Sequence, residues 1–374
     1  MKNYKVLTNS RGFLLSLYSA LEKKEGIHFE YTVDSIYEKP SMLRFILSKL
    51  IRMKIFDFLG VFRIININKK YNNYDGYYSY NRFVKGTKPY IIYLENPYAL
   101  VNYCKDRMNY LISNKKLNKC FQDPNLKGIV CMSKVCMETL PNIYKIPSSI
   151  NIYQIYPLLE EGKLEKSFDT CINCLFIASE FILKGGLEVI EAFKKLKEQN
   201  IIFNLTVVTP LNDIESQSIK ELNELGAKIF DYTLTKKEIQ ALYHDAHIIL
   251  NPTRADSFNL VTLESMKYGC VYVGTSVYAI CEMIKEGHNG FLIKPRYSIW
   301  NENNLLDNYV NKYKKQTIYL KNVDEKVTKF IIDNVKRLDA DRVLLRKMCL
   351  NAYKRSQNED FSSNSILKKW SKIL

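Results

Sequence analysis

Two acidic residues, Asp256 and Glu264, follow a short apolar run at 247–251, HIILN, whose composition is typical of a buried strand. Asp256 and Ser257 are both good N-cap residues, so we expect a helix to begin at one of them. Ligands of open α/β sheets bind beyond the carboxyl ends of the strands, and the free amides of a helix N-terminus attract a diphosphate. The sequence therefore predicts an anion site at this helix start.

The spacing of the two acids suits a nucleotide sugar. On one helix, Glu264 would lie roughly 12 Å from Asp256, at ~1.5 Å per residue. One acid would hold the hydroxyls of a sugar, the other those of a ribose, with the diphosphate between them. The alternative is structural, with Asp256 only capping the helix and Glu264 only a surface residue.

Short apolar runs alternate with helix-period segments along the whole chain, a pattern typical of parallel sheets with crossover helices. Strands are predicted at 4–8, 28–33, 90–94, 128–132, 150–155, 171–178, 203–208, 227–230, 247–251, 271–275 and 290–293. Thr235 and Glu238 have capping-box spacing and predict a helix that ends near His244. The fold class predicted is α/β, with residues 300–374 forming a mostly helical tail.

A chain of 374 residues exceeds one ordinary core and suits two α/β domains. The stretch after Pro157, LLEEGKLEKSFDT, is polar and weakly periodic, as linkers are. We therefore expect a first domain over 1–160 and a second over 161–352, followed by a helix within 353–374. Two doubly wound domains imply a cleft between them.

The net charge of +16 is concentrated in the first part of the chain. Residues 1–150 contain 24 Lys and Arg against 11 Asp and Glu, whereas 151–374 contain 31 against 28. Such asymmetry fits an anionic partner, whether a lipid surface, a polyanionic acceptor or nucleic acid. The abundance of Lys, Asn, Ile and Tyr also fits an AT-rich genome, which would raise the charge without any partner.

Nine cysteines, an odd number at scattered spacings, predict reduced thiols in a cytosolic protein. Cys171 and Cys174 have zinc spacing but lie in an apolar strand without a second pair, so we predict core thiols and no metal. The first residues lack the apolar core of a signal peptide, and no long uncharged apolar stretch follows. A cytoplasmic enzyme is expected.

The segment 42–63, MLRFILSKLIRMKIFDFLGVFR, mixes large apolar residues with five cations: Arg44, Lys49, Arg52, Lys54 and Arg63. A basic amphipathic helix can lie in a membrane interface, which would place the protein peripherally at the inner face of the cell membrane. The alternative is a helix packed on its own domain with a solvated basic edge.

The stretch 256–269, DSFNLVTLESMKYG, resembles the donor-binding segment of retaining glycosyltransferases of family four, which have the GT-B fold of two Rossmann-like domains. Their pattern is an acid, any residue, Phe, Gly, Leu, Val, two residues and Glu, then a small residue, Met and a later Gly. Here Asp256 replaces the first Glu and Asn259 replaces the Gly. The resemblance implies that Asp256 positions the hexose and Glu264 holds the ribose.

Two further segments carry the same resemblance. In FIASEFILKGGLEVIEAFKKL, Lys184 stands where the family supplies a cation to the donor phosphates, although a solvated helix-start lysine is the alternative. Ser179 replaces an Arg that is common in the family, and Arg254 is the suggested substitute. In the other segment, an acid precedes EGHNGFLI, and the usual Gly pair appears as Tyr278 and Ala279, which predicts a bulkier loop. The remaining donor contacts assigned by the resemblance are Phe258, Asn259, Leu260, Val261 and Glu282.

On the acceptor side the family has a Gly-rich loop after the first strand and a His in the cleft. Here the loop is Asn9-Ser10-Arg11-Gly12, with one glycine, and YLENPY contains Glu95 but no His. Arg11, Gly12 and Glu95 are the acceptor-side candidates. Glu95 would either serve a hydroxyl acceptor or cap the helix after Pro97.

The resemblance implies a retaining, metal-independent hexosyltransferase whose first domain binds the acceptor and whose second binds the nucleotide sugar, with the last helix returning to the first domain. UDP is the nucleotide expected and no cofactor is required. The acceptor would be a glycan or lipid-linked glycan in cell-surface polysaccharide synthesis. Two alternatives stay open: a catalytically silent nucleotide-sugar-binding relative, and a nucleic-acid-binding protein, although no nucleic-acid motif is present.

Overall fold

The computed structural model describes residues 2–7, 12–31, 53–59, 64–67, 73–169 and 171–374. The chain divides into two compact units, one of Met1–Leu159 with Ser363–Leu374 and one of Glu160–Ser362. The second unit therefore begins close to the predicted linker. The predicted boundary at 352, in contrast, falls within a helix of the second unit, Arg342–Asn358.

The first unit is built on a six-stranded parallel sheet in the order β2-β1-β4-β6-β7-β8. Its strands are β1 (Lys2–Val6), β2 (Ile27–Glu30), β4 (Gly76–Tyr80), β6 (Tyr90–Leu94), β7 (Leu126–Cys131) and β8 (Asn151–Gln154), with β3 (Ile64–Asn66) and β5 (Phe83–Lys85) forming a separate parallel pair. Its helices are α1 (Gly12–Glu25), α2 (Lys54–Phe58), α3 (Leu111–Phe121), α4 (Lys134–Ile143) and α13 (Ser363–Trp370), with 3-10 turns at Pro97–Val101 and Lys105–Asn109.

Aromatic packing joins the C-terminal helix to this first unit. The ring centroid of Trp370, on α13, lies 5.3 Å from that of Tyr93 and 5.8 Å from that of Tyr78. All three side chains are buried. Because an aromatic side chain buries a large apolar area, this contact stabilises the last helix on the sheet.

The second unit contains another six-stranded parallel sheet, in the order β11-β10-β9-β12-β13-β14. Its strands are β9 (Ile172–Ile177), β10 (Phe203–Val208), β11 (Lys228–Phe230), β12 (Ile248–Asn251), β13 (Val271–Thr275) and β14 (Gly290–Ile293). Its helices are α5 (Gly186–Glu198), α6 (Ser216–Glu224), α7 (Lys236–Asp245), α8 (Leu260–Lys267), α9 (Ile280–Met283), α10 (Asn308–Lys312), α11 (Glu325–Ala340) and α12 (Arg342–Asn358). Strands β9 and β12 are hydrogen-bonded neighbours, so the loops that leave their carboxyl ends emerge side by side.

The predicted α/β class is confirmed, and each predicted strand overlaps a strand of the structure. The capping box at Thr235 and Glu238 is formed and opens α7. The sequence missed β4, which is buried at all five residues and lies between β1 and β6. Its sequence, GYYSY, contains a glycine and four hydroxyl side chains, so it lacks the apolar character by which the other strands are recognised.

The sequence supports two predictions about membranes, one on spanning helices and one on the basic segment 42–63. In the part of the chain that is described, no helix is long and apolar enough to span a bilayer. The predicted basic amphipathic helix at 42–63 lies mostly outside the described residues. Only its part at 53–59 is seen, and it contains the short helix α2.

Candidate active site

The loop between β12 and α8 positions the predicted donor-binding residues. Asn259 has a φ of 63°, in the left-handed region that glycine adopts freely and that asparagine tolerates better than most residues. Its Oδ1 accepts hydrogen bonds from the Thr262 amide (3.0 Å) and hydroxyl (2.9 Å), which caps α8. The family pattern has a glycine at this position, which adopts a positive φ without strain. Asn259 adopts the same left-handed conformation here.

The predicted helix start at Asp256 or Ser257 is wrong, because α8 begins at Leu260. Asp256 Oδ1 instead accepts a hydrogen bond from the Ser257 amide (3.0 Å), and Phe258 is buried ahead of the helix. The 12 Å spacing along one helix therefore does not apply. The amides of Leu260 and Val261, which do open the helix, have no hydrogen-bond acceptor within the described chain.

Lys184 and Asp256, the two predicted catalytic residues, form an ion pair. Lys184 Nζ lies 2.6 Å from Asp256 Oδ2 and also donates to the main-chain oxygen of Ala255 at 2.8 Å. The two side chains are 16% and 17% exposed, so the pair is shielded but accessible to a small ligand. The pair thus combines a cation and an acid beside the open amides of α8.

Two glycines shape the Lys184 loop, Gly185 where it approaches the Asp256 loop and Gly186 where it packs on its own Phe181. Gly185 has a φ of 82°, and a Cβ at this position would lie 2.4 Å from the Pro252 main-chain oxygen. A Cβ on Gly186 would meet the Phe181 ring at 2.4 Å. A side chain at Gly185 would push the two loops apart, whereas one at Gly186 would displace Phe181 within the same loop. Gly185 is therefore the glycine that lets Lys184 approach Asp256.

The two departures from the family pattern, Asp256 and Asn259, contact each other. The Asn259 side-chain amide donates to Asp256 Oδ2 at 2.7 Å, while its oxygen caps the helix. The Asp256 carboxylate therefore receives donors from Lys184, Ser257 and Asn259. Asn259 thus holds Asp256, which is shorter than the Glu of the family pattern. A glycine at position 259 could not make this contact.

Glu264 occupies a different environment from Asp256. It is half-buried on α8, and its Oε2 accepts a hydrogen bond from the buried hydroxyl of Tyr243 at 2.8 Å. Burial raises the pKa of the Glu264 carboxyl above its usual value, and the Tyr243 hydrogen bond offsets part of that rise. Burial also raises the pKa of Tyr243, so its hydroxyl stays protonated and donates. No residue pattern in the sequence singled out Tyr243.

The C-terminal end of α8 is anchored by a buried lysine that the sequence did not reveal as important. Lys267 Nζ contacts both oxygens of Glu161, at 3.0 and 2.9 Å, and donates to the main-chain oxygens of Ser356 (3.0 Å) and Phe361 (3.2 Å). Burial lowers the pKa of Lys267, and its pairing with Glu161 offsets this effect. The helix that carries Glu264 is thereby held at its far end.

Arg254 has a structural role that argues against its predicted contact with donor phosphates. Its guanidinium is buried and paired with Glu188, and Nη1 donates to the main-chain oxygens of Ile318 and Leu320, both at 3.2 Å. A buried cation that is bonded in this way would leave an unpaired Glu188 if it moved to a ligand. The structure therefore offers Lys184 as the cation of this loop pair.

The loop after β13 contains Tyr278, the residue from which a bulkier loop is predicted. Tyr278 has a φ of 48°, in the left-handed region that favours glycine. Its ring stacks on Trp300, with centroids 4.2 Å apart, and the Trp300 indole N–H donates to the main-chain oxygen of Asp256. The segment around Trp300 was expected to be helical, but it is mainly loop up to α11, and it supports the Asp256 loop.

The other predicted donor residues lie near this loop pair or on its neighbours. Ser179 is exposed in the turn after β9, the strand next to β12. Glu282 lies on α9, where its main-chain oxygen accepts a hydrogen bond from Arg355 at 2.7 Å.

Cys174, one of the two cysteines with zinc spacing, is buried in β9, and burial raises the pKa of its thiol.

The acceptor-side candidates of the first unit are only partly described. Arg11 lies outside the described residues, and Gly12 is the first residue of α1. Glu95 does not cap the turn after Pro97, because the Asn96 side chain accepts from the Tyr98 amide at 3.0 Å. Glu95 instead accepts a hydrogen bond from the Tyr80 hydroxyl at 2.5 Å.

Comparison with protein families identifies the unit that carries this loop pair. Residues 173–305 match the family Glycosyl transferases group 1. The predicted resemblance to glycosyltransferases is confirmed at the level of this group. This group 1 segment includes Lys184, Asp256, Glu264 and the whole of α8.

Solved structures with similar folds cover the whole chain. HepE of Anabaena in complex with UDP and glucose has a TM-score of 0.61 and 12% identity, covering 100% of this chain and 99% of that one. WaaG, a glycosyltransferase involved in lipopolysaccharide biosynthesis, has a TM-score of 0.60 at 12% identity with 100% and 99% coverage. A glycosyltransferase from Rickettsia africae has a TM-score of 0.59 at 16% identity, with 100% and 97% coverage. The GT-B fold is confirmed.

A curated relative matches a shorter stretch. The "Uncharacterized 41.2 kDa protein in cps region" of Klebsiella pneumoniae is 25% identical over 122 residues, which are 33% of this chain and 32% of that protein. The match thus spans about a third of the relative's length.

Proposed function

We propose that this protein is a glycosyltransferase that moves a hexose from a UDP-linked sugar to a glycan or lipid-linked acceptor during cell-surface polysaccharide synthesis. The group 1 family match supports the enzyme class. A HepE structure that contains UDP and glucose supports the donor, and the cps-region relative supports the polysaccharide role. The observation that carries the proposal is the Lys184–Asp256 ion pair beside the open amides of α8.

In the proposed reaction, the bond between the anomeric carbon of the hexose and the diphosphate oxygen breaks, and UDP leaves with that electron pair. An acceptor hydroxyl oxygen forms the new bond to the same carbon, and its proton passes to the departing phosphate oxygen. The amides of Leu260 and Val261 and the Lys184 ammonium stabilise the negative charge that develops on the leaving phosphate. The two amides are fixed by the helix before the donor binds, so they need little reorganisation when the charge appears. We propose a retaining reaction without a metal ion, as the resemblance implies.

Asp256 changes partner in this scheme. In the structure, Lys184 is bound to Asp256, and a diphosphate would draw the ammonium toward itself. The carboxylate would then be available for the hexose hydroxyls, while Asn259 keeps it in place. Donor binding is thereby coupled to the release of the acid that positions the sugar.

Glu264 is assigned to the ribose hydroxyls. A carboxylate accepts two hydroxyl donors well, and Tyr243 occupies only Oε2 in the structure. Tyr243 fixes the orientation of the carboxylate, so the ribose meets an acceptor that is already positioned.

A thermal-shift screen against UDP, GDP and ADP sugars tests the donor assignment. A ligand that binds only the folded protein raises its melting temperature. At a ligand concentration of one hundred times Kd, binding stabilises the folded state by about 2.7 kcal/mol. We expect the largest shift with a UDP sugar and a loss of that shift in Glu264→Ala. No shift with any nucleotide sugar would contradict the proposal.

Donor hydrolysis or transfer by the purified protein tests the enzyme assignment separately. We expect turnover in the native protein and its loss in Asp256→Ala, with the circular dichroism spectrum unchanged. A protein that binds the UDP sugar but shows neither hydrolysis nor transfer with glycan or lipid-linked acceptors would be the silent relative instead.

A further inference from the structure

Residues 294–324 join β14 to α11 and contact both loops of the candidate site. They form α10, a 3-10 turn at Lys314–Gln316 and otherwise irregular chain. The match to the group 1 family ends at residue 305, so the second half of this stretch lies beyond the matched residues. Long irregular stretches within compact domains usually serve a function. We call residues 294–324 the β14–α11 segment.

A small apolar cluster joins this segment to the two loops. Its buried members are Leu183, Ala255, Val310 and Ile318. The cluster is separate from the main core of the second unit. Its first two members directly precede Lys184 and Asp256 in the chain, whereas the other two belong to the β14–α11 segment. Burial of these side chains therefore holds both loops at the residues next to the ion pair.

Main-chain hydrogen bonds run through the same three pieces of chain. The Arg254 amide donates to the Leu183 oxygen at 3.0 Å, and the Ile299 amide donates to the Arg254 oxygen at 3.1 Å. The Trp300 indole N–H, from the same segment, donates to the main-chain oxygen of Asp256. The two loops are thus tied together at the backbone, and the segment completes the row.

A buried ion pair fixes the far end of the segment. Arg254 Nη1 donates to the main-chain oxygens of Ile318 and Leu320, both at 3.2 Å. Its partner Glu188 accepts a hydrogen bond from the Asp324 amide at 3.0 Å. Both charges are buried, so separating them would leave an unpaired charge in the interior. The ion pair therefore anchors the segment against the loops.

We propose that the β14–α11 segment fixes the backbone positions from which Lys184 and Asp256 act, with Ile318 and Trp300 as positioning residues. Neither positioning residue touches the donor, and each acts through the loop that it contacts. Because the loop backbones stay in place, the exchange of partners at Lys184 needs only a side-chain movement. The inference rests on the proposed function, since its effect on transfer requires that the ion pair acts on the donor.

Two isoleucine variants separate this role from general stability. Ile318→Ala removes apolar contacts of the small cluster beside the loops. Ile331→Ala is its matched control, because it removes a similarly buried isoleucine from the main core of the same unit. Both variants lose the same atoms, and only Ile318 packs with residues of the two loops.

Two tryptophan variants test the hydrogen bond to the Asp256 loop. Trp300→Phe keeps an aromatic ring at this position but loses the N–H that Asp256 accepts. Trp370→Phe is the matched control, because Trp370 is also buried and its Nε1 has no acceptor among the described residues. Only the first of these variants removes a hydrogen bond.

Initial-rate UDP release by the full chain gives the first readout. We expect kcat to fall roughly 10- to 100-fold in Ile318→Ala, because a displaced catalytic group loses its productive geometry. Trp300→Phe should lower kcat about tenfold, the effect of one lost hydrogen bond. Both controls should turn over like the native protein.

A double variant shows whether Ile318 acts through the ion pair. In the Lys184→Met background, Ile318→Ala should lower kcat by less than about threefold, because the cation that it positions is already gone. An undiminished effect in that background overturns the proposal. So does a fall of kcat in Ile331→Ala that equals the fall in Ile318→Ala.

Hydrogen exchange of the unliganded protein gives a second readout that does not need activity. The Arg254 amide is protected by its bond to Leu183, so a peptide spanning 252–258 should exchange about tenfold faster in Ile318→Ala. It should exchange at the native rate in Ile331→Ala. If the native protein transfers no sugar, the proposed function fails and this measurement alone decides the inference. Unchanged exchange in Ile318→Ala overturns it.

Discussion

The two acids of the proposed donor site, Asp256 and Glu264, are held in opposite ways. Asp256 lies in a loop and is matched by a full charge, the ammonium of Lys184. Glu264 lies on a helix and is matched by a neutral hydroxyl, that of Tyr243, while burial raises the pKa of its carboxyl. An acid paired with a cation can release it to a ligand, whereas an acid that is oriented by a hydroxyl is already positioned. The predictions below test this difference.

Replacement of Lys184 should have the largest effect. Lys184→Met removes the cation that neutralises charge on the leaving phosphate, and we expect kcat to fall about 100- to 1000-fold. The assay is initial-rate UDP release with an acceptor at saturation. Lys329→Met is the control, since Lys329 forms an exposed pair with Asp333 on α11. An equal fall of kcat in both variants would show that Lys184 has no specific role in the reaction.

Asn259 should be essential to the Asp256 loop but not to Glu264. Asn259→Ala loses the cap of α8 and puts a Cβ-bearing residue without a polar side chain at a φ of 63°, so we expect about 2 kcal/mol less stability. Asn259→Gly should lose only a few tenths of a kcal/mol, because glycine accepts that conformation. Urea unfolding of both variants measures the difference. Similar losses would show that the left-handed backbone is not what selects Asn259.

Asp256→Asn should separate binding from turnover. Removal of the charge frees Lys184 for the diphosphate, so we expect UDP to bind about tenfold more tightly, a difference of about 1.4 kcal/mol. Transfer should fall at the same time, because the hexose loses its acid. Calorimetric titration with UDP measures the affinity. The gain should vanish in the Lys184→Met background, and a gain that persists there would refute the proposed exchange of partners.

Tyr243→Phe should give a smaller effect that depends on pH. The hydrogen bond from Tyr243 lowers the already raised pKa of Glu264, so its loss raises that pKa further. Protonated Glu264 is a poorer acceptor for ribose hydroxyls, so UDP affinity falls as the pH drops through the folded-state pKa. In Tyr243→Phe this fall should begin at a higher pH, with affinity a few fold lower at neutral pH.

Tyr268→Phe provides the control for that experiment. Tyr268 stacks on Tyr243, with centroids 5.8 Å apart, but donates no hydrogen bond to Glu264. Its variant should keep the native pH profile of UDP binding. An unchanged profile in Tyr243→Phe would mean that the Tyr243–Glu264 contact only supports the fold.

The sequence determined the alternation of strands and helices and the segment that carries the site. Strand β13, VYVGT, is buried at all five residues and has the predicted bounds, because burial on both faces requires a mostly apolar composition. The residues DSFNLVTLESMKYG and the Lys-Gly-Gly turn marked the donor segment through their resemblance. Gly185 is explained by its close approach to the Pro252 main-chain oxygen and Gly186 by its contact with the Phe181 ring.

Only the tertiary structure decided how these residues are used. The sequence favoured Asp256 as a helix cap, but a left-handed Asn259 moves the start of the helix to Leu260. Arg254 is turned inward by Glu188, which lies on α5, far away in the sequence. Tyr243 reaches Glu264 from another helix. Local propensity and residue spacing cannot predict such long-range partners. Each contact forms only when folding brings distant loops and helices of the unit together.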